Sequence, residues 1–191
     1  KFDKYLYKEP LAATSAITEI DNIYVINLDK RPDRLQRATE AMKSFCLEFT
    51  RLPAINGWER FNHGPIGCWL SHLSIYRDAL LKNYQVVWIL EDDFHIVQDP
   101  HILTSYLKKL DKLDPKWDAL FTGNVGYEPV PVKHRFTKVN EDFSIVHRRN
   151  GAFSMLLSRR GLKKIFRYVT KRRWYQRAID KEYLKVPGIR F

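Results

Sequence analysis

An apolar run from Gln85 to Leu90 leads straight into three adjacent carboxylates, Glu91-Asp92-Asp93. A short apolar run of this kind reads as a buried strand. Packing gives no reason to end such a strand on three acids, because each acid that leaves water unpaired costs several kcal/mol. A cation offsets that cost. Hard oxygens at the tip of a rigid strand suit Mg²⁺ or Mn²⁺, which keep waters and take substrate phosphates as their remaining ligands. In open α/β sheets, ligands gather at the carboxyl ends of the strands. The triplet therefore reads as a metal–diphosphate site. Glu91 and Asp93, two apart on an extended segment, point the same way and are the expected metal ligands. A solvated acidic turn would have the same sequence and is the competing reading.

The rest of the chain alternates strands with helices. Ile23 to Leu28 is a buried strand, and Pro32 with Asp33 suits the first turn of a helix over about 32–44. Phe49 to Ile55 is a second strand, closed by the turn signal Asn56-Gly57. Gly64-Pro65 opens a helix with Trp69, Leu73, Tyr76 and Leu80 on one stripe. A helix over about 100–113 and a strand at 117–121 follow. A hairpin is expected from Arg135 to Val139 and Phe143 to Val146, turning at Asn140-Glu141-Asp142. A strand at 152–157 then leads into a helix at about 159–171 with Leu162, Ile165, Phe166 and Val169 inward. This order implies an α/β domain: a mostly parallel central sheet covered by helices on both faces, plus a small hairpin.

Length and composition fit one domain over 1–191, with a full core and many aromatics. The abrupt ends at Lys1 and Phe191 suggest that the native chain continues. No apolar run approaches the roughly 18 residues of a membrane span. Cys46 and Cys68 lie in apolar surroundings and read as buried free thiols, with no disulfide scaffold or zinc spacing. The net charge of +11 is concentrated. Between Phe143 and Ile179 there is no acid, while Arg148, Arg149, Arg159, Arg160, Lys163, Lys164, Arg167, Lys171, Arg172, Arg173 and Arg177 all fall there. Such a one-sign face attracts an anionic partner, and the helix at 159–171 has the apolar and cationic sides of one that lies on a membrane surface. A basic outer face on a core-packed helix gives the same pattern. No nucleic-acid recognition motif accompanies the basic residues, so nucleic acid is not the expected partner.

Five stretches, in order, resemble glycosyltransferase family 25, which includes lipopolysaccharide (lipooligosaccharide) and procollagen galactosyltransferases. They are Tyr24-Val25-Ile26-Asn27-Leu28-Asp29 with Arg31-Pro32-Asp33-Arg34, then Pro53-Ala54-Ile55-Asn56-Gly57, then Gly67-Cys68-Trp69-Leu70-Ser71-His72, then Leu90-Glu91-Asp92-Asp93, and finally Gly151-Ala152-Phe153 leading to Leu157-Ser158-Arg159-Arg160-Gly161. Together they cover about residues 22–182. The resemblance implies a GT-A-like fold, a UDP-sugar donor, a divalent metal (Mn²⁺ or Mg²⁺) and inversion at the anomeric carbon. It also implies a glycan or lipid-linked oligosaccharide acceptor. The expected location is cytoplasmic, with peripheral contact at the inner membrane, or the ER lumen in a eukaryote.

Under that resemblance Asn27, Leu28, Arg31, Arg34, Gly57, Ser71, His72 and Asp92 are candidate donor contacts, with Asp93 the direct metal ligand, Asp92 at ribose or sugar hydroxyls and Glu91 able to do either. Asn27 suits the edge of uracil through its side chain or, better, its backbone, and could equally cap the following helix. Arg31 and Arg34 would steady the diphosphate, or else form an exposed pair on a helix start. His72 could instead be a packed core histidine. Inversion needs a base for the acceptor hydroxyl. Asp180 is the candidate, with Asp118, Asp142 and Glu182 as rivals. Trp174 and Tyr175 could stack on the acceptor or be ordinary core. A family member without activity, kept as a binding protein, and a metal-dependent nucleic-acid enzyme are the other readings.

Overall fold

The computed structural model describes residues 7–8, 16–123, 136–147, 151–172 and 178–190. The strands are β1 (Tyr7–Lys8), β2 (Asn22–Asn27), β3 (Thr50–Pro53), β4 (Val86–Glu91), β5 (Ala119–Phe121), β6 (Phe136–Lys138), β7 (Ser144–Val146) and β8 (Ser154–Ser158). The helices are α1 (Pro32–Lys43), α2 (Gly57–Phe61), α3 (Gly64–Leu81), α4 (Leu103–Leu113, entered through a 3₁₀ turn at Pro100–Ile102), α5 (Arg159–Arg172) and α6 (Ile179–Tyr183).

Six strands form one sheet in the order β1-β3-β2-β4-β8-β5. β3, β2 and β4 run parallel, and β8 enters antiparallel between β4 and β5. Four of the six strands therefore point one way, which is the α/β, GT-A-like architecture that the sequence implies. β6 and β7 pair as the expected separate hairpin, and Asn140 Oδ1 shapes its turn by accepting from the Asp142 and Phe143 amides.

Period-two alternation sends each central strand's side chains to both faces. Tyr24 and Ile26 of β2, Val87 and Ile89 of β4, and Met155 and Leu157 of β8 join α3, α5 and α6 in one core. Ile23, Val25, Trp88, Leu90 and Leu156 join α1 and α4 in the other. Burial on both sides makes these strands apolar throughout, as covered sheets require.

α3 departs from the expected single stripe. Gly67, Trp69, Ser71, His72, Leu73, Ile75, Tyr76, Asp78 and Ala79 are all buried, because α5 and α6 join the sheet in enclosing it. α5 turns Leu162, Ile165 and Val169 into that same core, so its apolar side is not available to a bilayer. Among the described residues no helix is long and apolar enough to cross a membrane. Cys46 is exposed, contrary to the buried thiol expected: it takes φ 55° in the turn that ends α1, and that turn faces solvent.

Candidate active site

The tip of β2 and the acid tip of β4 lie side by side because the two strands pair directly. The chain bends sooner than expected. β4 ends at Glu91, the Phe94 amide donates to the Glu91 carbonyl at 3.2 Å, and the Asp92 amide donates to the Ile26 carbonyl at 3.1 Å. Glu91 and Asp93 thus belong to a turn, and the argument that they share one side of an extended strand fails.

Each acid has its own surroundings. Asp92 accepts from Asn27 Nδ2 at 2.8 Å and from an Arg34 guanidinium nitrogen at 2.9 Å. Asn27 is 1 % exposed, and its amide is fully engaged. Nδ2 also donates to the Arg31 carbonyl, while Oδ1 accepts two bonds from Arg51 at 2.8 and 3.0 Å. The Asn27 carbonyl accepts from the Ala54 amide. The Asn27 side chain is therefore a positioning group, held between the Asp92 carboxylate and the buried Arg51 and not available to read a base. Arg51 also binds Asp29 at 2.5 Å. Arg31 is turned to Asp33 at the surface, where the guanidinium holds that carboxyl down at about 2.

Glu91 turns toward α3. His72 Nε2 lies 3.1 Å from its Oε1, and the Cys68 thiol donates to the same oxygen at 3.8 Å. His72 is fully buried, with Tyr76 and Tyr183 hydroxyls each 3.3 Å from Nδ1. The two tyrosine hydroxyls also bond each other. The Cys68 sulfur, a His72 nitrogen and a Glu91 oxygen fall within 4.8 Å of one another, a grouping that could hold a metal ion. Cys68 and His72 stand one turn apart on α3, but the third member, Glu91, comes from β4, so the grouping is not legible from sequence spacing alone. Burial, Glu91 and Asp180 push the Cys68 thiol well above its ordinary value.

Asp93 is half-exposed and lies 3.4 Å from Arg34. Burial and the neighbouring Glu91 and Asp92 charges push its carboxyl up, and Arg34 only partly opposes them. Crowded carboxylates of this kind fit a hard divalent cation, which would relieve the repulsion that disfavours ionised Asp93.

Beside the turn is a cavity of about 230 Å³, lined by Ile26, Leu28, Ala54, Ile55, Trp58, Glu91 and Asp92. Gly57, Ser71 and His72 also line it. One wall residue, Gly57, makes a contact that requires glycine on both sides. A Cβ on Gly57 would lie 2.6 Å from the Gly67 nitrogen, and one on Gly67 would lie 2.3 Å from the Gly57 nitrogen. The turn after β3 and the start of α3 therefore touch backbone to backbone. Ser71 fastens this contact, accepting from the Ile55 amide at 2.9 Å and donating to the Gly67 carbonyl at 2.8 Å.

Asp180 lies in the first turn of α6 and accepts from the Gly151 amide at 2.8 Å. It is among the charges that raise the Cys68 thiol, and it does not line the cavity. The rival Asp118 is excluded as a base. It is fully buried and bound by Arg160, Lys164 and the Arg190 amide. Glu182 is buried against Lys185 at 2.6 Å, and Asp142 pairs with Lys109 on the hairpin. Trp174 and Tyr175 lie outside the described residues. In the basic window, Arg159 binds Asn83 and the Leu80 carbonyl, and Arg160 and Lys164 turn to Asp118. Lys163, Arg167 and Lys171 are exposed along one side of α5.

Sequence reasoning missed Arg51, Cys68 and Trp58. For Arg51 a signal existed: a cation inside a buried strand demands an anionic partner.

Residues 58–180 match the sequence profile of glycosyltransferase family 25, described as an LPS biosynthesis protein family. A glycosyltransferase 25 family member of Drosophila pseudoobscura pseudoobscura is 28 % identical, across 61 % of this chain and 23 % of its own length. Procollagen galactosyltransferase 1-B of Xenopus laevis is 24 % identical, across 76 % of this chain and 28 % of its own. A human relative, 22 % identical over 57 % of this chain and 22 % of its own, is named inactive glycosyltransferase 25 family member 3. The chain spans about a quarter of the length of these curated relatives. With the profile matching most of the chain, and the strand-tip turns, the glycine contact and the Ser71-His72 pair built into one site, the chain belongs to glycosyltransferase family 25.

Proposed function

We propose that this protein transfers a hexose, galactose or glucose, from a UDP-sugar to a glycan acceptor such as a lipid-linked oligosaccharide, with inversion and with help from Mn²⁺ or Mg²⁺. The observation that carries the reading is the acid turn at the tip of β4, opening onto a cavity large enough for part of a nucleotide. Glu91 and Asp93 would hold the cation, with Asp92 fixed beside them by Asn27 and Arg34. A bound divalent cation supplies neutralisation of the charge that builds on the departing diphosphate.

The chain's own groups supply orientation and proton transfer. His72, held by Tyr76 and Tyr183, fixes the Glu91 carboxylate. Arg34 places a positive charge against Asp92 and Asp93, next to where phosphate oxygens would lie. The acceptor oxygen forms a bond to C1 as the C1–O bond to phosphate breaks, and that electron pair leaves with UDP. The acceptor proton passes to a carboxylate, for which Asp180 is the proposed base. Asp180→Asn is expected to cut transfer while leaving UDP affinity near wild type. Loss of UDP binding in that variant would make Asp180 a donor contact instead.

A second reading, a family member that binds donor without turnover, is favoured by the relative named inactive. A panel of UDP-sugars with Mn²⁺, read by UDP release, separates the two. Release above a metal-free control supports the transferase, and binding without release supports the other.

A further inference from the structure

Cys68, His72 and Glu91 bring three different donor atoms together on the wall of the cavity. Cys68 and His72 come from α3, and Glu91 reaches them from the end of β4. The Cys68 sulfur is 3.8 Å and His72 Nε2 is 3.1 Å from Glu91 Oε1, and all three atoms lie within 4.8 Å of one another. Tetrahedral zinc, with bonds of about 2.3 Å to sulfur and about 2.0 Å to nitrogen and oxygen, holds such atoms about 3.3–3.6 Å apart. The two distances to Glu91 fall on either side of that span, so the donors already stand near the geometry of one ion. Their chemistry is mixed. A thiolate and an imidazole select Zn²⁺ over Mg²⁺ or Mn²⁺, which prefer carboxylates and water. A thiolate and a carboxylate together cancel the charge of a divalent ion, which lowers the cost of placing it in a part-buried wall.

The surroundings fit as well. A metal-bound histidine donates its other ring N–H to an outer partner that sets its tautomer. His72 Nδ1 has two such partners, the Tyr76 and Tyr183 hydroxyls, each at 3.3 Å and each bonded to the other. A tyrosine hydroxyl donates or accepts, so the pair serves either tautomer. With the proton on Nε2 facing Glu91, Nδ1 accepts from a tyrosine. With a metal on Nε2, the Nδ1 N–H donates to one. All three ligand residues line the cavity, which gives an ion a way in and leaves a fourth position for water. We propose that Cys68, His72 and Glu91 form a zinc site, separate from the hard-cation seat at Asp93. Binding forms one bond each to sulfur, Nε2 and Oε1, and the thiol proton leaves to solvent. Glu91 belongs to both sites. Zinc therefore withdraws it from the Mn²⁺–diphosphate turn, so Zn²⁺ opposes what Mn²⁺ supports; this consequence, unlike the site itself, rests on the proposed function.

The test uses Co²⁺ as a spectroscopic stand-in for Zn²⁺ on the reduced chain. A Co²⁺–thiolate bond gives a near-ultraviolet charge-transfer band. Cys46 and Cys68 are the only cysteines, so a band that persists in Cys46→Ser belongs to Cys68. The proposal expects that band at one equivalent of Co²⁺ in wild type and in Cys46→Ser, abolished by Zn²⁺ and untouched by excess Mg²⁺. Cys68→Ser is expected to lose the band and to weaken Zn²⁺, measured against a chromophoric chelator, by more than about a hundredfold, since an outer partner of a metal ligand alone is worth about 10- to 100-fold. His72→Gln should lose zinc affinity to a like extent. If Cys68→Ser does not melt cooperatively, the Cys46→Ser spectrum decides alone. A band that vanishes in Cys46→Ser, no band at all, or equal zinc affinity in His72→Gln overturns the site and leaves the proposed function standing. The shared ligand is read by calorimetry with UDP and Mn²⁺, whose affinity one equivalent of Zn²⁺ is expected to lower roughly tenfold. Unchanged affinity in the zinc-loaded chain overturns the sharing of Glu91. A chain that shows the Cys68 band but never binds UDP with Mn²⁺ supports the zinc site and overturns the proposed function.

Discussion

Asp93 and Asp118 are aspartates near the ends of strands in one sheet, and they are treated in opposite ways. Asp118 is fully buried, and the fold surrounds it with donors: Arg160 at 2.8 and 3.2 Å, Lys164 at 2.7 Å and the Arg190 amide at 2.8 Å. Burial pushes its carboxyl up, but these donors outweigh that and hold it below the ordinary value. Asp93 is only half-buried, yet its carboxyl is held above the ordinary value by burial and by Glu91 and Asp92, with Arg34 as the opposing cation. Asp118 is complete within the fold and knits β5, α5 and the segment after α6 together. Asp93 sits where the fold has gathered three carboxylates that Arg34 balances only in part. A compensated carboxylate reads as structure, and a crowded one reads as a place for a ligand.

Exchanging the charge at each site should break the two differently. Asp93→Asn is expected to lower Mn²⁺-dependent UDP-sugar turnover by more than about a hundredfold while leaving the metal-free melting temperature unchanged or slightly raised. Steady-state UDP release and a thermal melt check this, and full turnover would remove Asp93 as a ligand. Asp118→Asn should do the reverse. Leaving Arg160, Lys164 and the Arg190 amide without their anion costs roughly 3 kcal/mol, which for a chain of this size lowers the melting temperature by about 10 °C. Mn²⁺ affinity per folded molecule should not change.

Acidity separates the same pair. The folded value of Asp93 is raised, so its contribution to stability is present at low pH and is lost as pH rises through that folded value. The folded value of Asp118 is lowered, so its contribution is present above the unfolded value and lost as pH falls through the folded one. Melting curves against pH for wild type and the two asparagine variants should therefore diverge in opposite directions. Mn²⁺ competes with the proton on Asp93, so metal affinity should begin to fall on acidification at a pH above that of an ordinary aspartate.

The smallest effect concerns α5, which supplies both kinds of cation. Arg160 and Lys164 face Asp118, whereas Lys163, Arg167 and Lys171 face out. If the outer three meet an anionic bilayer, Arg167→Gln should weaken binding to phosphatidylserine vesicles about fivefold, the equivalent of about 1 kcal/mol. Co-sedimentation with vesicles reads this, and equal binding by wild type and variant would make the stripe a solvated surface.

Much of the frame was legible because periodicity reports burial. The runs at 23–28 and 85–90, and the helices at 32–44 and 159–171, match β2, β4, α1 and α5 to within a residue or two at most ends. α2 and α6 were not found: at five residues each they are too short to show a period. The insertion of β8 against β4 depends on pairing between residues far apart in sequence, which no local pattern encodes. The same limit governed the site. The three acids stand out in sequence as a candidate site, but the bend that turns Glu91 toward His72 and Asp93 toward Arg34 does not. Asn27 looked available because its partners Arg51 and Asp92 are 24 and 65 residues away. Gly57 and Gly67 stood out as motif residues, and the structure supplies the cause: their backbones touch.

The central claim is that the Glu91–Asp93 turn grips a divalent ion together with a diphosphate. Calorimetry of the folded chain with UDP, in Mn²⁺ and again in chelator, tests it most directly. The account predicts saturable heat in Mn²⁺ that vanishes in chelator and in Asp93→Asn. Equal binding with and without the metal, or no binding to a chain that melts cooperatively, would contradict it.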